Sequence, residues 1–163
     1  SGVITDFGVH LLDVVHWFMG IDEPALCFGA GYHSPARQPE QVPDVVSLTW
    51  KYDQFLGTYS SQRGLWGNTF WGEKGTLHVN RSMIRLSIKD SGGKEKETVV
   101  PSPNARGQAH IRNFLDCVKS RKRPNADAET GCRSTIPCLL AGQSVRTGKA
   151  YYFDWPSRSV VEV

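Results

Sequence analysis

At 163 residues the chain is long enough for one ordinary domain, which at this size buries about two-thirds of the surface its unfolded chain exposes. Its nineteen basic and sixteen acidic residues are interspersed and leave a formal net charge of +3, so no long-range field argues for nucleic acid or an anionic membrane as partner. No apolar run reaches membrane-spanning length, and no basic segment leads into a signal-type apolar stretch.

In chain order, the first element is a helix that Thr5 or Asp6 can cap and that should run to Met19 and stop at Gly20, a residue that readily takes the left-handed conformation. A strand is suggested over Leu26 to His33. From Val45 the period becomes two, with Val46, Leu48, Trp50 and Tyr52 alternating against polar neighbours. A tight turn at Asp53-Gln54 then makes residues 44 to 61 a β-hairpin. Further strands are expected at Asn68 to Trp71, Thr76 to Val79 and Ile84 to Lys89, with a turn at Gly72-Glu73-Lys74-Gly75. Asp90-Ser91-Gly92-Gly93 is a second turn. Glu95 to Val100 returns as an edge strand whose charges discourage aggregation.

The sheet pattern breaks at Pro101-Ser102-Pro103-Asn104. A helix follows from about Gln108 to Arg121, where Lys119-Ser120-Arg121-Lys122-Arg123 places cations at a helix end and is read as solvated rather than phosphate-binding. A last helix occupies roughly Glu129 to Arg146, with a kink or late start expected at Pro137 and an end at Gly148. Tyr151 to Trp155 adds a short strand. The order predicts an α+β fold: a large, mainly antiparallel sheet with helices on one face, forming a single domain over 1–163.

Cys27, Cys117, Cys132 and Cys138 form no CxxC pair and are too few for a disulfide scaffold, so they read as buried free thiols in a reducing, cytoplasmic compartment. No Gly-rich fingerprint follows a strand, and there is no βαβ order, so this chain by itself should hold no nicotinamide cofactor.

The chemistry concentrates in the first helix. At about 100° per residue, Asp6, His10, Asp13 and Trp17 share a sector of roughly 60°, with Leu11, Val14, Val15 and Phe18 on the far side. A carboxylate four residues from an imidazole can orient it and raise its basicity, which suits proton transfer. The competing reading is a capping aspartate and a histidine bonded to a neighbouring carbonyl. A metal is disfavoured, because His16 lies roughly 80° off the stripe and no HExxH or Cys partner supports it. In mid-chain, Arg63, Trp66, Asn68 and Trp71 combine groups that carbohydrate sites use; against this, Trp71 reads as a core residue of the sheet.

Three segments together resemble one family. Asp6-x-Gly8-x-His10-x-x-Asp13-x-x-x-Trp17, Phe70-Trp71-Gly72-Glu73-Lys74-Gly75-Thr76-Leu77, and His110 to Val118 with Arg121-Lys122-Arg123-Pro124 are similar, in order, to the C-terminal domain of the glucose-fructose oxidoreductase, inositol dehydrogenase and MocA group. The resemblance implies an N-terminal Rossmann domain, absent here, that binds NAD or NADP and carries a catalytic lysine. It implies His10 as the acid/base with Asp6 beside it, and Asp13 as a substrate contact or an orienter of His10. With Trp17, Arg63, Trp66 and Asn68, Asp13 would bind a sugar, polyol or cyclitol. A homodimer or tetramer through the outer sheet face is also implied. Cys132-Arg133-Ser134 departs from the histidine before Arg-Ser found in many relatives, and Pro137 is unusual in that helix. The alternative is a sugar-binding or oligomerisation module without chemistry of its own.

Overall fold

The computed structural model describes residues 2–34, 43–62, 66–90, 92–102 and 107–163. In chain order the elements are α1 (Val3–Met19), β1 (Leu26–Tyr32), β2 (Val45–Lys51), β3 (Leu56–Ser60), β4 (Asn68–Gly72), β5 (Gly75–Val79), β6 (Met83–Lys89), β7 (Glu95–Pro101), α2 (Gln108–Ser120), α3 (Ala128–Thr147), β8 (Tyr151–Asp154) and β9 (Ser159–Glu162). The α+β class and the antiparallel pairing hold throughout, with the strands divided between two sheets instead of one. Two compact units result: Ser1–Arg63 with Ala128–Val163, and Gly64–Asp127.

The first unit carries the five-stranded sheet, in the order β3-β2-β1-β8-β9. Cys27 and Gly29 on β1 and Val46, Leu48 and Trp50 on β2 point to one face, as the alternation requires, and α3 packs on it. Close approach explains Gly29: a Cβ there would meet Ala141 O, Leu48 Cδ2 and Val145 Cγ2, each at 2.8 Å. Its N–H instead donates to buried Ser144 Oγ at 2.9 Å. α1 lies against α3, and Gly8 is buried facing Cys138, where an added Cβ would meet Sγ at an ordinary 3.6 Å.

Pro137 neither delays nor ends α3, contrary to the expected late start; the helix runs through it. The residue is buried, and its carbonyl accepts the Trp50 indole N–H at 3.1 Å, a tertiary contact that ties α3 to β2 at this turn. Two further expectations change. α1 starts at Val3 after Gly2 with no side-chain cap, so Thr5 and Asp6 lie in its first turn rather than capping it, and Asp6 N–H bonds Gly2 O at 2.9 Å. Of the four thiols only Cys27 and Cys138 are buried, while Cys117 is intermediate and Cys132 exposed. Burial pushes both buried thiols up to about 12, which leaves them protonated and inert.

The second unit holds β4-β5-β6-β7 and α2. Its turns follow the sequence: Gly72 pairs Gly75 across Glu73-Lys74, and Asp90 Oδ1 accepts the N–H groups of Gly92 and Lys94 at 2.9 Å each. One sheet face carries Phe70, Leu77, Leu86 and Ile88, and the other Thr69, Trp71, His78 and Arg85. Trp71 is therefore not core. It lies 78% exposed on an edge strand, because its period-two position puts it opposite the apolar face.

Candidate active site

α1 is continuous from Val3 to Met19, so the helical spacing of Asp6, His10, Asp13 and Trp17 is realised on one face. Asp6 and His10 are exposed and Trp17 is 80% exposed. The opposite stripe, Ile4, Gly8, Leu12 and His16, is the one the core buries. That stripe is rotated from the expected apolar side: Leu11, Val14 and Val15 are intermediate and Phe18 exposed, because α3 rather than the sheet alone sets which flank is covered.

The polar face is assembled differently from the expected carboxylate–imidazole pair. Among the described residues no hydrogen bond joins Asp6 to His10, and neither has another polar partner. Asp13 accepts a hydrogen bond of 2.8 Å from Ser134 Oγ on α3. Trp66 and Asn68 belong to the second unit, with Trp66 exposed and Asn68 opening β4 opposite Val79. Arg63 lies outside the described residues.

Three further residues of this unit, His16, Arg133 and Ser134, have partners that the sequence reading did not assign. His16 is only 7% exposed and shares a 2.7 Å hydrogen bond with Tyr52 Oη through Nε2, while Nδ1 has no partner among the described residues. Burial lowers its affinity for a proton, Asp22 and Asp13 act in the opposite sense, and Arg133 adds to the lowering. Burial likewise raises the Tyr52 phenol. The signal for His16 was its spacing four residues from Leu12 on an i, i+4 stripe. For Ser134 there was none. Arg133 gathers Asp22 at 3.1 Å, Glu23, and Glu129 at 3.3 Å, and its guanidinium lies 4.6 Å from the Trp155 ring centroid. Among the described residues no group of three or more metal-type ligands comes together.

No family model matches the chain, and no curated protein matches it. Solved structures do. The chain is similar to the candidate oxidoreductase yvaA from Bacillus subtilis, with a TM-score of 0.72 and 14% identity over 94% of this chain and 53% of that one. An oxidoreductase from Agrobacterium radiobacter, solved with NAD+, L-tartaric acid and magnesium, gives 0.63 and 15% over 90% of this chain and 48% of that one. A candidate myo-inositol dehydrogenase from Sinorhizobium meliloti 1021 gives 0.61 and 16% over 93% of this chain and 50% of that one. The chain thus spans about half the length of the solved structures it matches. Its fold is the one that these solved oxidoreductase chains share over about half of their length. No helix among the described residues is long and apolar enough to cross a membrane.

Proposed function

We propose that this chain is the substrate-binding and catalytic half of an NAD(P)-dependent oxidoreductase that acts on a hydroxyl of a sugar, polyol or cyclitol. The observation that carries the proposal is the solvent-facing stripe of α1, with an unpaired imidazole, a free carboxylate, a held carboxylate and an exposed indole on one rigid helix. A second support is the fold, which covers about half of each nicotinamide-linked or dehydrogenase-type neighbour.

In this reading the cofactor is held by a separate domain of a longer parent polypeptide, a view supported by the half of each neighbour that this chain leaves uncovered. That domain supplies the nicotinamide as hydride acceptor or donor. What this chain contributes is proton management and orientation. His10 takes the proton of the substrate hydroxyl as the carbon is oxidised and returns it in reduction. Asp6, one turn away, lies on the side from which it can steady the imidazolium that forms. Asp13 accepts a second substrate hydroxyl, and Trp17 offers an indole for the apolar face of a sugar ring. We also propose a homodimer or tetramer through the outer face of the five-stranded sheet, where Phe28, Tyr32 and Leu56 are exposed on the same side, and a reducing cytoplasmic location consistent with four free thiols.

The test is kinetic. In the parent polypeptide, with its cofactor domain, His10→Ala should lower kcat by about 10²–10⁴ on the best substrate of a sugar and cyclitol panel, at unchanged melting temperature because the residue is exposed. Normal turnover by that variant would end the acid/base assignment. Sugar binding without turnover by any variant or by the wild type would favour a binding module instead.

A further inference from the structure

The polar face of α1 is held from a second helix, and the contact is specific. Ser134 is 2% exposed on α3, yet it carries a hydroxyl, and a buried hydroxyl requires a partner. Its partner is Asp13, 121 residues earlier in the chain, at 2.8 Å. A hydrogen bond to an ionised carboxylate is short and about twice as strong as one between neutral groups.

The neighbouring residue holds the chain just beyond the same helix. Arg133 binds Asp22 and Glu23 in the segment just after α1. Two consecutive residues of α3 therefore fix α1 within its last two turns and again beyond its end. Asp6 and His10, nearer the start of α1, receive no such support among the described residues. Asp13 is half-buried with Oδ1 occupied, and Oδ2 is left without a hydrogen bond among the described residues. A carboxylate that spends one oxygen inside the protein has a fixed plane and one acceptor to offer. Recognition of a hydroxyl depends on such fixed direction, since small misplacements in a positioned contact are costly.

We propose that Ser134 is a positioning residue for the α1 site: it orients Asp13 so that the remaining carboxylate oxygen accepts a hydroxyl of the substrate, which makes α3 a determinant of substrate affinity. The inference rests on the reading that the α1 face meets the substrate. The chemistry it selects is a polyhydroxylated molecule with one hydroxyl beside the reacting one.

Two variants and two readouts test it. Ser134→Cys keeps the volume and weakens the donor, and Ser134→Thr keeps the hydroxyl. Without any substrate, the Asp13 ¹³Cγ resonance of this chain should move in Ser134→Cys and stay near its original position in Ser134→Thr. In the parent enzyme Ser134→Cys should raise KM about tenfold with kcat changed less than about twofold, and Ser134→Thr should restore KM, a split that lost packing would not give. An unmoved Asp13 resonance, or an unchanged KM in Ser134→Cys, overturns the proposal. If Ser134→Thr melts below wild type, the comparison of Ser134→Cys with wild type decides alone. Asp13→Asn separates the two layers: if it leaves KM unchanged while Ser134→Cys still moves the Asp13 resonance, it is the substrate reading of α1 that fails.

Discussion

The two units use their apolar residues in opposite ways. Every buried hydrophobic side chain, from Ile4 and Leu12 through Leu48 and Trp50 to Leu140 and Tyr151, lies in the unit built from Ser1–Arg63 and Ala128–Val163. In Gly64–Asp127 the one buried side chain among the described residues is polar, His78, held by Thr69 at 2.9 Å and Asn80 at 3.3 Å. Leu86 and Ile88 on its sheet, and Ile111 and Phe114 on α2, stay exposed. Both units have regular secondary structure, so the difference is one of layering. A sheet becomes a core only when a second layer covers it, and α3 with α1 supplies that layer in the first unit alone. The proposed site sits on the outer side of that layer, where a helix is rigid behind and solvated in front.

The largest effect should come from emptying the covered face. Leu48→Ala, at a fully buried position, should cost about 3–4 kcal/mol in urea unfolding, against less than about 1 kcal/mol for Leu86→Ala at 37% exposure. Equal costs would break the contrast between the units. Next, Gly29→Ala should cost about 1–3 kcal/mol, because the new Cβ would meet backbone and two side chains at 2.8 Å. Gly93→Ala, in the second unit, should cost about 1 kcal/mol from its positive φ of 79° alone, since nothing lies within 4 Å. Melting curves of the pair separate a packing cost from a backbone cost.

The smallest effect is the most informative about α1. His16 binds a proton less readily in the fold than a free imidazole, whose ordinary value is 6.5, chiefly through burial. Above that value it is neutral in both states, and its contribution to stability is fully present. As pH falls below it the unfolded chain takes up the proton first, so stability is lost until the native imidazole also protonates. The slope is bounded by one proton, about 1.4 kcal/mol per pH unit. Unfolding followed from pH 8 to pH 5 should show this loss in wild type and lack it in His16→Gln, and a slope that persists in the variant would assign it to other groups.

Much of this was legible beforehand. The alternation of Val46, Leu48, Trp50 and Tyr52, the Asp53-Gln54 turn and the stop at Gly20 came through because backbone geometry and period are local properties, and each recurs in the fold within a residue or two. The α1 stripe was readable for the same reason. What failed were judgements about the surroundings of single side chains. Trp71 was expected inside and lies outside, the Ser134 partner of Asp13 had no signal in the sequence, and the late start expected at Pro137 does not occur. β9 was not anticipated, because a four-residue strand exists only through its pairing with β8.

By itself, then, the sequence determined which residues can form helices and strands, where these stop, and that Asp6, His10, Asp13 and Trp17 share a helical face. These follow from steric limits and from periods of 3.6 and 2 that act over a few residues. Tertiary structure alone decided which flank of α1 is buried, that the chain forms two sheets, and that a serine 121 residues away holds the carboxylate in the middle of the site. The reason is physical: burial and hydrogen-bond partnership are relations between surfaces, and only the packed fold brings those surfaces together.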